Sequence, residues 1–234
     1  MRKTRASVFA IRVVVAAIGV VAWFETQALI GQRPLTSAGI GDRLHLVSAP
    51  LNRYLAETPS AANGLLIASS ALIDLEALFI LAEWLWGRSV RPLLGLAMLL
   101  GLRQVMQGLC ALPIPDHMIW HYPGFPSLLV TYNVANDFFF SAHTGIAVFA
   151  ATELARLGRR WLTFLGLFII VFEATAVLVL RAHYTMDVFT AIITALYVAR
   201  LSERISPALD QRLAKYLAPP REQSARQQRA AQSG

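Results

Sequence analysis

The apolar residues of this 234-residue chain fall into long, nearly unbroken blocks and not into the alternating faces of a soluble fold. Such blocks run over about 8–30, 62–86, 92–111, 138–156, 161–180 and 184–203. A helix rises about 1.5 Å per residue, so roughly 20 apolar residues carry it across the hydrocarbon of a bilayer. The blocks therefore predict an all-α integral membrane protein of about six transmembrane helices. Composition agrees, with 56% hydrophobic residues and only 15% charged, against about a quarter charged in soluble domains. Residues 1–205 then form one membrane domain, which leaves no room for a second, soluble one. Residues 206–234 form a polar tail whose end, rich in Gln, Arg, Ser and Ala, has the composition of a disordered segment.

Charge fixes the expected orientation. The net charge is +7, but the cations cluster in the N-terminal tail, short connections and C-terminal tail, where membrane topology puts them. A nucleic-acid surface is excluded on that distribution. Arg2, Lys3 and Arg5, then Arg88 and Arg91, then Arg156, Arg159 and Arg160, and finally the tail cations all fall on one side of a six-span bundle. That side is expected to be the cytoplasm, with both termini on it. The N-terminal run is long for a signal peptide and no clear cleavage site follows, so it reads as a retained helix. Cys110 is the single cysteine, which excludes an intrachain disulfide and a cysteine-based metal cluster.

Two polar segments interrupt this pattern at the expected non-cytoplasmic helix ends. One contains Asn136, Asp137, Ser141, His143 and Thr144; the other contains Arg181, His183, Tyr184 and Asp187. His183 and Asp187 are four apart, one turn along a helical face. A carboxylate so placed can fix the imidazole tautomer and leave the other ring nitrogen free to attack. Arg181 offers a charged fork for phosphate oxygens. His143 sits in the first turn of the fourth block beside Ser141 and Thr144, where backbone donors favour an anion. Each group alone is compatible with a structural role. Four such groups at one membrane level are costly unless used or paired.

These segments carry a resemblance. Ser141-Ala142-His143-Thr144 is similar to the Ser-Gly-His-Thr signature of the type-2 phosphatidic acid phosphatase superfamily, whose members are lipid-phosphatase-like helical bundles. Asp137, four residues before Ser141, and the run Arg181-x-His183-Tyr184-Thr185-x-Asp187-Val188 resemble the sphingomyelin synthase branch. Leu112-Pro113-Ile114-Pro115, Leu44-His45 and Leu51-Asn52 extend the likeness toward the plant phosphatidylcholine:diacylglycerol cholinephosphotransferases, over about 40–200. The resemblance implies His183 as a nucleophile that forms a phosphohistidine, Asp187 as its orienting partner and His143 as the proton carrier. It also implies phosphate held by Arg181. Asp137, Ser141, Thr144, Tyr184 and Glu173 complete the expected substrate-binding set. Two departures stand out: Ala142 replaces Gly, and the phosphatase branch's Lys-x6-Arg-Pro is broken, with Trp84 in the Lys position before Arg91-Pro92. The second favours transferase over phosphatase.

The reading is thus a headgroup phosphotransferase that moves a phosphocholine- or phosphoethanolamine-type group from a phospholipid donor to a diacylglycerol or ceramide acceptor, with no metal or cofactor required. A lipid-phosphate phosphatase and a non-enzymatic lipid-binding or transport protein are the alternatives. A transporter would show duplicated halves, and none is evident. The charges inside the apolar blocks are expected to pair between helices, Arg103 with Asp74 or Glu76. Glu173, eight residues before Arg181, would lie beneath the site and face a lipid headgroup's cation. The loop over 113–137 is expected to cap the site, with Trp120, His121 and Tyr122 serving as interfacial anchors or, as the alternative, as a cage for a quaternary ammonium.

Overall fold

The computed structural model describes residues 40–130, Tyr132 and 138–217, with Val14 and Val21 in a separate unit, Met1–Gly41. The predicted first helix therefore lies almost wholly outside the described residues, as does Asp137. The described chain is helical: α1 (Arg43–Val47), α2 (Ala49–Glu57), α3 (Pro59–Trp86), α4 (Arg91–Leu109), α5 (Ala142–Arg156), α6 (Arg160–Val179) and α7 (Thr185–Leu217). Of these, α3, α4, α6 and α7 are long and apolar enough to cross a membrane. The approach to α3 holds two short helices, broken where Ser48 ends α1 and Pro50 enters the first turn of α2.

The fourth apolar block behaves differently from the others. α5 has 15 residues, about 22 Å of rise, against roughly 30 Å of hydrocarbon. It is the middle of the bundle, packed on α3, α4, α6 and α7, and every residue from His143 to Ala150 is buried. A helix that is apolar all round belongs in a core. α6 shows the contrast, presenting Phe164, Phe168 and Val171 outward to lipid. Close approach to α5 depends on small residues. A Cβ on Gly166 would meet Ala151 Cβ at 2.7 Å, and one on Gly95 would enter the Phe149 ring at 2.2 Å.

The last helix runs on well past the predicted end of its span. α7 passes Pro207 and continues to Leu217, so the boundary expected at 205 falls inside a helix. Asp210 accepts the Val90 N–H at 2.8 Å, which ties this extension to the α3–α4 connection.

A long connection between α4 and α5 lies along one face of α3. Asn63 Oδ1 meets His121 Nε2 at 2.8 Å, and the Ser70 hydroxyl meets Tyr132. Asp74 accepts Ser127 Oγ at 3.0 Å, Leu128 N at 2.9 Å and Leu129 N at 3.1 Å. Positions 63, 70 and 74 share a helical face, so α3 presents a row of polar anchors to the loop. The sequence expectation that Asp74 pairs with Arg103 is replaced by this clamp.

Candidate functional site

The turn from α6 to α7 places the second polar segment. Arg181 has φ 57°, Ala182 N bonds Val177 O at 2.9 Å and Arg181 N bonds Leu178 O at 3.2 Å. This is a Schellman ending with arginine in the left-handed position where glycine is usual. The strained residue is held from outside, because Arg181 Nη2 donates to the His45 carbonyl at 2.5 Å. Burial holds the Arg181 pKa below its ordinary value, an effect opposed by Asp42 and Asp116. His45 Nε2 in turn donates to the His183 carbonyl at 2.9 Å, since a carbonyl can only accept.

Asp187 closes the first turn of α7. Its Oδ2 accepts the Tyr184 N–H at 2.8 Å, the backward-reaching half of a capping box. Its distance to His183 Nδ1 is 3.7 Å, so the predicted hydrogen bond between them is not made. His183 Nδ1 instead lies 2.7 Å from the Phe138 carbonyl oxygen. That oxygen has no proton to give, so Nδ1 donates to it, and in the neutral ring Nε2 keeps its lone pair. A backbone acceptor thus stands where the sequence reading put the Asp187 carboxylate.

Asp42 is the residue the sequence reading missed. Its carboxylate accepts Thr185 N at 2.5 Å and Thr185 Oγ1 at 2.7 Å while capping α1 through Leu44 N at 2.9 Å. One anion thus serves two helix N-termini. Burial pushes its pKa up, but the Thr185 hydrogen bonds and nearby His45 outweigh that and hold it below the ordinary value. Asn52 acts similarly, donating to Val179 O at 2.8 Å and His117 O at 3.2 Å. The Leu44-His45 and Leu51-Asn52 pairs therefore fasten the α6–α7 turn from below.

The first polar segment opens α5. Ser141 is the N-cap, accepting the Thr144 N–H at 3.3 Å, and its own N–H meets the Asp187 carbonyl at 3.4 Å. His143 follows in the first turn. Its Nε2 is buried with no hydrogen-bond partner among the described residues, as is Thr144 Oγ1. Trp120 from the long loop stands edge-on to the His143 ring at 5.4 Å.

A cavity of about 60 Å³ joins these parts, with His143, His183, Arg103, Trp120, Phe138 and Val130 on its wall. It is large enough for a few water-sized bodies, hence for a phosphoryl group but not for a diacylglycerol. Of the predicted residues, the two histidines reach the cavity. Ser141, Thr144, Tyr184 and Asp187 are buried behind it and shape the helix ends. Tyr184 stacks on His45 and donates its hydroxyl to Pro113 O at 3.0 Å, so the Leu-Pro-x-Pro loop is anchored there. Arg181 is off the cavity wall, and so is Glu173, which is buried in α6 and accepts the Ser69 hydroxyl at 2.6 Å. No group of three or more His, Cys, Asp or Glu is arranged to hold a metal among the described residues.

Comparison with known proteins bears on this arrangement. The family model described as AtPDCT1/2 matches residues 42–204, from the Asp42 cap through most of α7. Over 142 residues the chain is 25% identical to phosphatidylcholine:diacylglycerol cholinephosphotransferase 1 of Arabidopsis thaliana. That alignment covers 61% of this chain and 46% of the relative, so the chain spans about half the length of the curated protein it matches. No solved structure matches.

Proposed function

The chain belongs to the AtPDCT1/2 family, and on that premise we propose that it moves a phosphocholine-type headgroup from one membrane lipid to the hydroxyl of another. The observation that carries the reading is the 2.7 Å contact from His183 Nδ1 to the Phe138 carbonyl. In the neutral ring it leaves the lone pair on Nε2 of a histidine that lines the same small cavity as His143.

In the proposed reaction the Nε2 lone pair attacks phosphorus and the bond from phosphorus to the glycerol oxygen breaks. His143 gives its proton to that oxygen, and a diacylglycerol leaves. The ring of His183 now carries positive charge, which the Phe138 carbonyl and the Asp187 carboxylate at 3.7 Å stabilise. An incoming lipid alcohol then loses its proton to His143 and attacks phosphorus. The His183–phosphorus bond breaks, and both histidines return to their starting state. Trp120 offers an aromatic face on the cavity for the quaternary ammonium. Diacylglycerol and ceramide both present the required hydroxyl.

The lid favours transfer over hydrolysis. Residues Trp120, Leu129 and Val130 close the cavity with apolar surface, which disfavours water as the acceptor. The test is to supply choline-labelled phosphatidylcholine with a diacylglycerol of distinct acyl mass. Label is expected in a new phosphatidylcholine carrying the acceptor's chains. Free phosphocholine whose amount ignores the acceptor would make the protein a hydrolase. We further propose that the site opens on the non-cytoplasmic face. Cysteines placed at Gly124 and Arg159 are then expected to label from opposite sides of a sealed membrane, and labelling of both from the cytoplasm would overturn that topology.

A further inference from the structure

We propose that Asp42 and His45 are positioning residues for the nucleophile: they tie the main chain on both sides of His183, so that its ring stands against the Phe138 carbonyl and on the cavity wall. The proposal deepens the phosphotransfer reading, and its consequence for the rate of transfer rests on that reading.

The segment that delivers His183 has little regular structure of its own. α6 ends at Val179, α7 begins at Thr185, and Arg181 between them is left-handed, with φ 57°. The geometry of such a connection is set largely by what it is tied to, and here the ties come from two residues remote in sequence. Arg181 Nη2 donates to the His45 carbonyl at 2.5 Å, and His45 Nε2 donates to the His183 carbonyl at 2.9 Å. Asp42 accepts the Thr185 N–H at 2.5 Å and the Thr185 hydroxyl at 2.7 Å. The His45 ring also stacks on Tyr184, with ring centres 5.4 Å apart. Arg181, His183, Tyr184 and Thr185 are thus each held by Asp42 or His45.

Neither Asp42 nor His45 lines the cavity, so any influence on the chemistry passes through the backbone of His183. That residue is fixed at two points, its carbonyl by His45 and its Nδ1 by the Phe138 carbonyl at 2.7 Å. Both histidines are buried, where a hydrogen bond is stronger than in water and water does not readily replace it. With the main chain tied, the Nδ1–H stays on its acceptor and Nε2 is aimed. Releasing the tie lets the His183 backbone drift and weakens the Phe138 contact. The ring then samples the other neutral tautomer, in which Nε2 carries the proton and cannot attack. Displacing a reacting atom by about 1 Å costs about 10²-fold in rate. Asp42 restrains the opposite side, because its carboxylate anchors the first residue of α7 and opposes movement of that helix start.

The test uses the full chain in detergent, isotopically labelled at the nitrogens of its five histidines. Nuclear magnetic resonance at mildly alkaline pH, where the rings are neutral, reads which nitrogen of His183 is protonated; His183→Ala identifies its signals. His45→Phe keeps a ring to stack on Tyr184 but removes the donor, and His45→Gln restores an N–H of similar reach. In the unaltered chain His183 is expected to show a protonated Nδ1 and a bare Nε2. In His45→Phe the two signals are expected to move toward a tautomer average, and kcat for transfer to fall about 10²-fold with KM for phosphatidylcholine within about twofold. His45→Gln is expected to recover the signature and most of kcat. A folded His45→Phe protein, judged by its melting temperature, with the unaltered signature and kcat would overturn the proposal. So would a fall in kcat with the signature unchanged, because the effect would not run through the His183 ring. If His45→Phe does not fold, Asp42→Asn decides: a shifted His183 signature supports the role and an unchanged one refutes it. A signature that depends on His45 in a protein that transfers no headgroup would sink the functional reading and leave the positioning role standing.

Discussion

The two ends of α5 carry buried polar groups of opposite character. At the Glu153 end, Arg91 grips the carboxylate through both oxygens at 2.6 Å. Arg156 approaches Glu153 at 3.6 Å and reaches Glu203 on α7 at 3.0 Å. At the His143 end, about 15 Å away along the same helix, His143 Nε2, Thr144 Oγ1, Arg181 Nε and Asp187 Oδ1 are buried without hydrogen-bond partners among the described residues. Buried polar groups are normally satisfied, so a cluster of orphans calls for an explanation that a paired cluster does not. The paired end holds α4, α5 and α7 together. Of the four orphaned residues, His143 alone lines the cavity, and we propose that its Nε2 is left open for a ligand. Arg91, which with Pro92 resembles the end of the phosphatase pattern, belongs to the paired end, and neither residue lines the cavity.

That contrast can be broken by exchanging the consequences of mutation. His183→Ala is expected to lower transfer by roughly 10³-fold or more, since no other group in the cavity replaces the nucleophile, with a melting temperature close to the unaltered one. Arg91→Ala is expected to do the reverse. It leaves the buried Glu153 carboxylate with Arg156 at 3.6 Å as its remaining cation, at a cost of up to about 3–5 kcal/mol, while the folded fraction keeps its turnover. Thermal melting in detergent, paired with activity per folded molecule, separates the two. An Arg91→Ala protein of normal stability, or a His183→Ala protein that melts early, would erase the distinction.

A smaller effect sharpens the comparison at the lid. Asp74→Ala removes three hydrogen bonds that hold 127–129 against α3. The loop over the cavity then loosens and water gains access. The expected outcome is a several-fold rise in free phosphocholine relative to transferred headgroup, with the summed rate changed less. An unaltered ratio would show that the clamp stabilises the loop without excluding water.

What the sequence could and could not disclose follows from the range of the interactions. The histidines were legible because each polar group sits at a helix start, where spacing of three or four residues controls geometry. That Arg181 lies off the cavity wall has a local cause: it is adjacent to His183 in sequence, but the left-handed φ of 57° turns the chain between them. Arg103 gave the opposite illusion, lying in an apolar block far from either motif and reaching the cavity only through packing of α4. His45 and Asn52 act on partners 138 and 127 residues away, contacts that no local pattern records. Apolar blocks also read alike whether they face lipid or the core. For that reason α5, the buried centre of the bundle, looked like one more span, and the polar continuation of α7 looked like a free tail.

The claim on which everything else depends is that His183 Nε2 bonds to phosphorus, and trapping that bond tests it directly. The full chain is exposed to choline-labelled phosphatidylcholine without acceptor, quenched at alkaline pH to preserve phosphoramidates, and digested. The account predicts acid-labile label on the peptide containing His183, released when diacylglycerol is added first and absent from His183→Ala. Transfer at full rate with label on the His143 peptide, or with no label on the chain at any time, would contradict it.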